Sequence, residues 1–169
     1  GGGVGKTTVA KVLYNWLSDQ YEGGCFLANV REVFEKQGVV HLQEMLLSKV
    51  LKETNLKICD DQEGINLIKR RLCLKRVLII FDDVDDQLEQ LEKLAGNIDW
   101  FGSGSRIIIT TRDEHVLTSH GINNIYKVKG LENDEALKLF HSKAFKSEQP
   151  ANDYIELSRH VVCHTNGLR

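Results

Sequence analysis

Two hydrophobic patterns alternate along the chain, one helical and one extended. Val9, Val12, Leu13, Trp16 and Leu17 recur at helical spacing and predict an amphipathic helix to about Gln20. Gly23-Gly24 interrupts it, and Cys25 to Val30 reads as a short strand. Leu42, Leu46, Leu47, Val50 and Leu51 mark a second helix; Ile65, Leu67, Ile68 and Leu72 mark a third that runs towards Lys75. Val77-Leu78-Ile79-Ile80-Phe81 is apolar at every position, the pattern of a parallel strand buried on both faces. Leu88, Leu91 and Leu94 predict a helix, Gly102-Ser103-Gly104 a loop, and Ile107-Ile108-Ile109 another wholly apolar strand. A short helix near Glu114 to Thr118 and a strand near Ile125 to Val128 follow. Asn133 is placed to cap a helix through about Phe145, and Pro150 separates it from a last helix over Tyr154 to Thr165.

Strands alternating with helices, the inner strands apolar throughout, predict an α/β fold: a parallel sheet covered by helices on both faces. The last two predicted helices follow no strand. They suggest a core over residues 1–130 and the start of a small helical subdomain over 131–169.

Composition narrows the class. With 169 residues, 41% hydrophobic and 27% charged, the chain is of one-domain size and globular in balance, which excludes a disordered tail or a disulfide-dense miniprotein. The net charge of −2 supplies no bulk attraction to nucleic acid or an anionic membrane. No apolar run approaches the ~20 residues of a membrane span, and no signal peptide opens the chain. Cys25, Cys59, Cys73 and Cys163 form no CxxC pair and read as reduced intracellular thiols.

Three segments carry chemistry. Gly1-Gly2-Gly3-Val4-Gly5-Lys6-Thr7-Thr8 matches the end of a G-x-x-x-x-G-K-[ST] phosphate-binding loop. Gly3 and Gly5 let backbone N–H groups turn inward around a phosphate, beside Val4, and the following helix adds its N-terminal dipole. Lys6 offers a point charge to the β/γ-phosphates, and the Thr7 hydroxyl offers a ligand to Mg²⁺. The loop's leading glycine would fall at residue zero, so the chain is expected to be an internal piece of a longer protein. It would lack the strand that feeds the loop. Such a strand is worth on the order of 10 kcal/mol in buried side chains, so the isolated stretch is expected to be marginal or aggregation-prone.

The second segment, Phe81-Asp82-Asp83, ends a buried strand, where open α/β sheets bind ligands. A carboxylate at Asp82 suits Mg²⁺, and Asp83 suits the orienting or deprotonation of a water. Acidic turns are also common at strand ends, and Asp82-Asp83-Val84-Asp85-Asp86 is one. The third, Thr110-Thr111-Arg112, places a guanidinium after the other apolar strand, either to reach a terminal phosphate or as an ordinary surface arginine. The crowded Lys69, Arg70, Arg71, Lys75 and Arg76 fit a solvated helix end better than a nucleic-acid patch. His160, Cys163 and His164 have helical zinc spacing, but no second pair of ligands accompanies them.

In order and spacing, Gly2 to Thr8, Val77 to Asp86 and Gly104 to Arg112 together resemble the NB-ARC domain of plant disease-resistance receptors of the nucleotide-binding, leucine-rich-repeat class. Phe26-Leu27-Ala28-Asn29-Val30-Arg31-Glu32, His41-Leu42-Gln43 and Asp85 are similar to the form of that domain carried by receptors with an N-terminal TIR domain. Tyr126 to Phe145 matches a further block. Where the family continues Gly-Leu-Pro-Leu, this chain reads Gly167-Leu168-Arg169. The resemblance implies a P-loop NTPase sheet that binds ADP or ATP with Mg²⁺. Gly3, Val4, Gly5, Lys6, Thr7 and Thr8 would hold phosphate, Thr7 and Asp82 would hold the metal, Asp83 would be the hydrolytic base, and Arg112 would sense the γ-phosphate. It further implies a cytoplasmic or nuclear switch with weak Mg-dependent ATPase activity at most. The expected partners are TIR and leucine-rich-repeat domains in the same protein and self-association on activation, with neither nucleic acid nor membrane as a direct partner. Two rival expectations are a general P-loop ATPase with ordinary turnover and an interaction scaffold whose nucleotide site is dead.

Overall fold

The computed structural model describes the backbone of residues 2–84, 88–111, 126–128, 154–157 and 161–165, and the side chains of 10–84, 91–97 and 99–110. Helix α1 (Gly2–Leu17) passes through a 3-10 turn into β1 (Gly23–Leu27); α2 (Val30–Leu51) and α3 (Asp61–Leu72) precede β2 (Val77–Val84). Helix α4 (Leu88–Ala95), a 3-10 turn and β3 (Arg106–Thr111) follow, then β4 (Tyr126–Val128), β5 (Tyr154–Leu157) and β6 (Val161–Thr165).

One sheet has the order β1-β2-β3-β6, with β1, β2 and β3 parallel and β6 antiparallel to β3. Strands β4 and β5 pair in parallel as a separate ribbon. In β2 every position from Val77 to Asp82 is buried, as a strand covered on both faces requires. Its alternate side chains serve different layers. Val77, Ile79 and Phe81 join Cys25, Leu27, Ile107 and Ile109 in a core completed by α2, α3 and α4. Leu78, Ile80 and Asp82 face the other way, by the two-residue period of a strand. On that side α1 packs on β2 and β3, burying Ala10, Leu13 and Leu17 and setting Tyr14 edge-on to Phe26. Helices therefore flank the parallel sheet on both faces. Among the described residues no helix is long and apolar enough to cross a membrane.

The helical seams are polar at chosen points. Asp60 caps α3, its carboxylate accepting the Glu63 N–H at 2.8 Å, while Glu63 in turn accepts the Cys59 N–H at 2.6 Å. Gln43 is buried between three helices, its Nε2 donating to the Asp61 carbonyl at 3.1 Å and the Lys93 carbonyl at 2.9 Å. The Lys93 carbonyl lies in the last turn of α4, so Gln43 supplies a donor that this helix end lacks. Gly64 makes the close approach feasible, because a Cβ there would lie 1.9 Å from Gln43 Oε1. Asp61 and Lys93 close the seam with an ion pair at 2.6 Å. The basic cluster also disperses into local contacts: Lys69 lies 5.2 Å from the centre of the Trp100 ring, Arg71 pairs with Glu53, and Arg76 lies 5.0 Å from the centre of Tyr21.

Several elements differ from the sequence pattern. Helix α2 starts at Val30 instead of near Leu42 and changes direction at Gly38, where φ is 85° and ψ is 173°. That conformation is open to glycine almost alone. Gly2 to Gly5, expected as a loop, are the first turn of α1. A glycine-rich turn pays only ~1 kcal/mol per residue to be helical, and the first four N–H groups of a helix lack intrahelical partners in either conformation. The helix expected over Tyr154 to Thr165 is instead β5 and β6. Short apolar runs are ambiguous in period, and Val161, Val162 and Thr165 are β-branched residues that suit the edge of β3. With that helix goes the face that would have gathered His160, Cys163 and His164, since Cys163 and His164 are consecutive strand residues. The helices expected at Glu114 to Thr118 and from Asn133 to Phe145 lie outside the described residues.

Candidate functional site

A buried strand that ends in two carboxylates must satisfy them, and β2 does so at its C-terminal end. Asp82 is 1% exposed and faces the α1 side of the sheet. Its Oδ1 accepts from the Thr110 hydroxyl of β3 at 2.9 Å, and its Oδ2 accepts from the Asn29 N–H at 3.4 Å. Both donors come from parallel neighbours: Thr110 near the end of β3, Asn29 just after β1. Three strand ends thus converge on one carboxylate.

Asp83 is separated from Asp82 by a bulge. The register between β2 and β3 passes from Phe81↔Ile109 to Val84↔Thr111, which leaves one extra residue in β2. Asp83 absorbs it with a φ of 65°, a left-handed conformation that Asp tolerates better than most side chains. Its N–H donates to Thr110 Oγ1 at 2.7 Å. Its carboxylate turns to α2 and pairs with Arg31 Nη2 at 3.2 Å, the two side chains being 21% and 42% exposed. The bulge therefore gives two adjacent acids opposite environments: Asp82 buried and doubly hydrogen-bonded, Asp83 near solvent and ion-paired.

The other expected site residues are reached only in part. Gly3, Val4, Gly5, Lys6, Thr7 and Thr8 lie in the first two turns of α1, and their side chains are outside the described set. Tyr14, near the other end of α1, contacts Phe26, and the chain then re-enters the sheet at the start of β1. Helix α1 packs on β2 and β3, the strands that carry Asp82 and Thr110. Arg112 lies outside the described residues, directly after β3. Sequence reasoning gave no role to Thr110, Arg31 or Asn29. The available signal was Thr110 itself, a hydroxyl after three buried isoleucines.

The donors at this sheet end are hard oxygens, a carboxylate beside a hydroxyl, which suits Mg²⁺ and not a soft metal. Among the described residues no cluster of three His, Cys, Asp or Glu side chains offers a competing metal site.

Comparison with known proteins agrees with this architecture. The family model described as the NB-ARC domain matches residues 1–150. Disease resistance protein RUN1 of Vitis rotundifolia is 48% identical over 168 residues, covering 99% of this chain and 12% of that protein. TMV resistance protein N of Nicotiana glutinosa is 42% identical over 173 residues, covering 99% and 15%. Disease resistance protein RML1B of Arabidopsis thaliana is 44% identical over 165 residues, covering 95% and 16%. The chain thus spans between 12% and 16% of the length of these three relatives.

Proposed function

We propose that this chain, which belongs to the NB-ARC family, is the ADP- and ATP-binding switch of a plant disease-resistance receptor. The observation that carries the reading is the bulged Asp82-Asp83 pair at the C-terminal end of a buried parallel strand, where open α/β sheets take their ligands. Lys6 and Thr7, with the N–H groups of Gly3 to Gly5, form the phosphate-holding segment at the start of α1. Thr7 and Asp82 are the residues that would hold Mg²⁺, which when bound neutralises charge on the β- and γ-phosphates. Asp83, closer to solvent, is the group that orients the attacking water in a slow hydrolysis. Arg112, just beyond β3, reads the γ-phosphate.

A nucleotide shifts a conformational equilibrium only by its difference in affinity for the two states. In this reading ADP favours a closed receptor and ATP an open, self-associating one, with hydrolysis as the reset. The intramolecular partners are TIR and leucine-rich-repeat domains, and the compartment is the cytoplasm or nucleus.

The test is retained nucleotide. The full-length parent protein is purified, denatured and chromatographed beside its Lys6→Ala variant. Near-stoichiometric ADP in the parent and none in the variant is the expected result. Folded protein that carries no nucleotide and binds neither Mg-ADP nor Mg-ATP overturns the reading in favour of a scaffold. Turnover at ~1–100 s⁻¹ overturns it in favour of an ordinary ATPase.

A further inference from the structure

A single hydroxyl on β3 reaches both acidic residues. Thr110 Oγ1 donates to Asp82 Oδ1 at 2.9 Å and accepts the Asp83 N–H at 2.7 Å. Thr110 is fully buried and follows Ile107, Ile108 and Ile109, so packing alone would be served there by an apolar side chain such as valine. Hydrogen bonds strengthen in such surroundings, and an unmet buried group is expensive. The second bond matters as much as the first. The bulge turns the Asp83 N–H away from the regular ladder, and Thr110 Oγ1 takes it up. One oxygen therefore fixes the orientation of the Asp82 carboxylate and the backbone turn that separates the two acids.

We propose that Thr110 is a positioning residue of the nucleotide site, holding Asp82 in the orientation that meets Mg²⁺ and Asp83 in its left-handed turn. This rests on the functional reading above. Thr110 acts through the two acids, and its contribution is confined to the magnesium-dependent part of nucleotide binding. Serine keeps the hydroxyl and preserves that part; valine keeps the shape and loses it.

The experiment measures the affinity of the full-length parent for ADP, with Mg²⁺ and with EDTA, alongside Thr110→Val, Thr110→Ser, Asp82→Asn and Lys6→Ala. Thr110→Val is expected to lose about tenfold or more of the gain in affinity that Mg²⁺ confers, the scale of a hydrogen bond to a charged group. Its affinity in EDTA stays within about twofold of the parent, and Thr110→Ser restores the magnesium gain. Should Thr110→Val fail to fold, Thr110→Ala takes its place in the comparison. A parental magnesium gain in the hydroxyl-free variant, beside its loss in Asp82→Asn, overturns the proposal alone. Equal losses with and without Mg²⁺, unrescued by serine, also overturn it, because they mark a purely structural role. A parent that binds no nucleotide, or binds it regardless of Lys6→Ala, removes the functional reading and this inference with it.

Discussion

Gly64 shows how little room separates α2 from α3. A methyl group there would sit 1.9 Å from Gln43 Oε1 and 2.2 Å from Cδ, and Gln43 cannot swing aside without abandoning the Asp61 and Lys93 carbonyls. Gly64→Ala is therefore expected to destabilise the domain by about 1–3 kcal/mol, the usual cost of overpacking, despite alanine's better helix propensity. Denaturant unfolding should show this, and the loss should shrink in a Gln43→Ala background, where the opposing side chain is gone. At this scale the acid pair was legible in the sequence, since Asp82-Asp83 follows a run of five apolar residues. Its supports were not. Arg31 and Asn29 are more than fifty positions distant in sequence, and only the parallel pairing of β1 with β2 brings them to the two acids. Thr110 was visible as a polar residue in an apolar strand, but its double hydrogen bond depends on a bulge that no spacing announces.

Among the elements, α3 and α4 are joined by the Asp61–Lys93 pair, and that bond has a pH dependence of definite sign. The hydrogen bond from Lys93, opposed in part by desolvation and aided by the lysine's charge, holds the Asp61 carboxyl below the usual carboxylate range. A carboxyl depressed in the folded state adds stability that is present above its unfolded value and disappears as pH falls through the folded one. The parent should therefore be more stable than Asp61→Asn at pH 6, and the gap between their denaturation midpoints should close as the pH is lowered through and below the ordinary carboxylate range. Element type was easiest to read where the period was long or the apolar run unbroken, as in α1, α3, β2 and β3. The first half of α2 escaped because Gly38 resets the helical phase, and Val30 looked like the end of a strand when it is the first residue of a helix. Strands β5 and β6 escaped for the opposite reason: their short apolar runs fit either period, and pairing decides between them.

The whole molecule divides its duties between the two faces of one sheet. The face covered by α2, α3 and α4 holds most of the apolar core, and the face covered by α1 carries the acid that the proposed site uses. Cys25 reports on the first face. Burial, only partly offset by Lys49, pushes its thiol up to about 12, whereas Cys59 and Cys73 are exposed. Alkylation at pH 8 should label exposed Cys73 readily, Cys59 more slowly because the Glu63 carboxylate raises its thiol, and spare Cys25 until denaturant opens the sheet, with peptide mass mapping as the check. Helix α2 spans both duties. Val30 to Gln37 carries the arginine that pairs with Asp83 and buries Val30 in the core that Leu42, Leu46, Leu47 and Val50 also enter. A straight rod of 22 residues would carry Arg31 and those leucines along one axis. Gly38, with open space where a side chain would stand, gives the rod a corner instead, so that one helix meets the acids along one direction and the core along another.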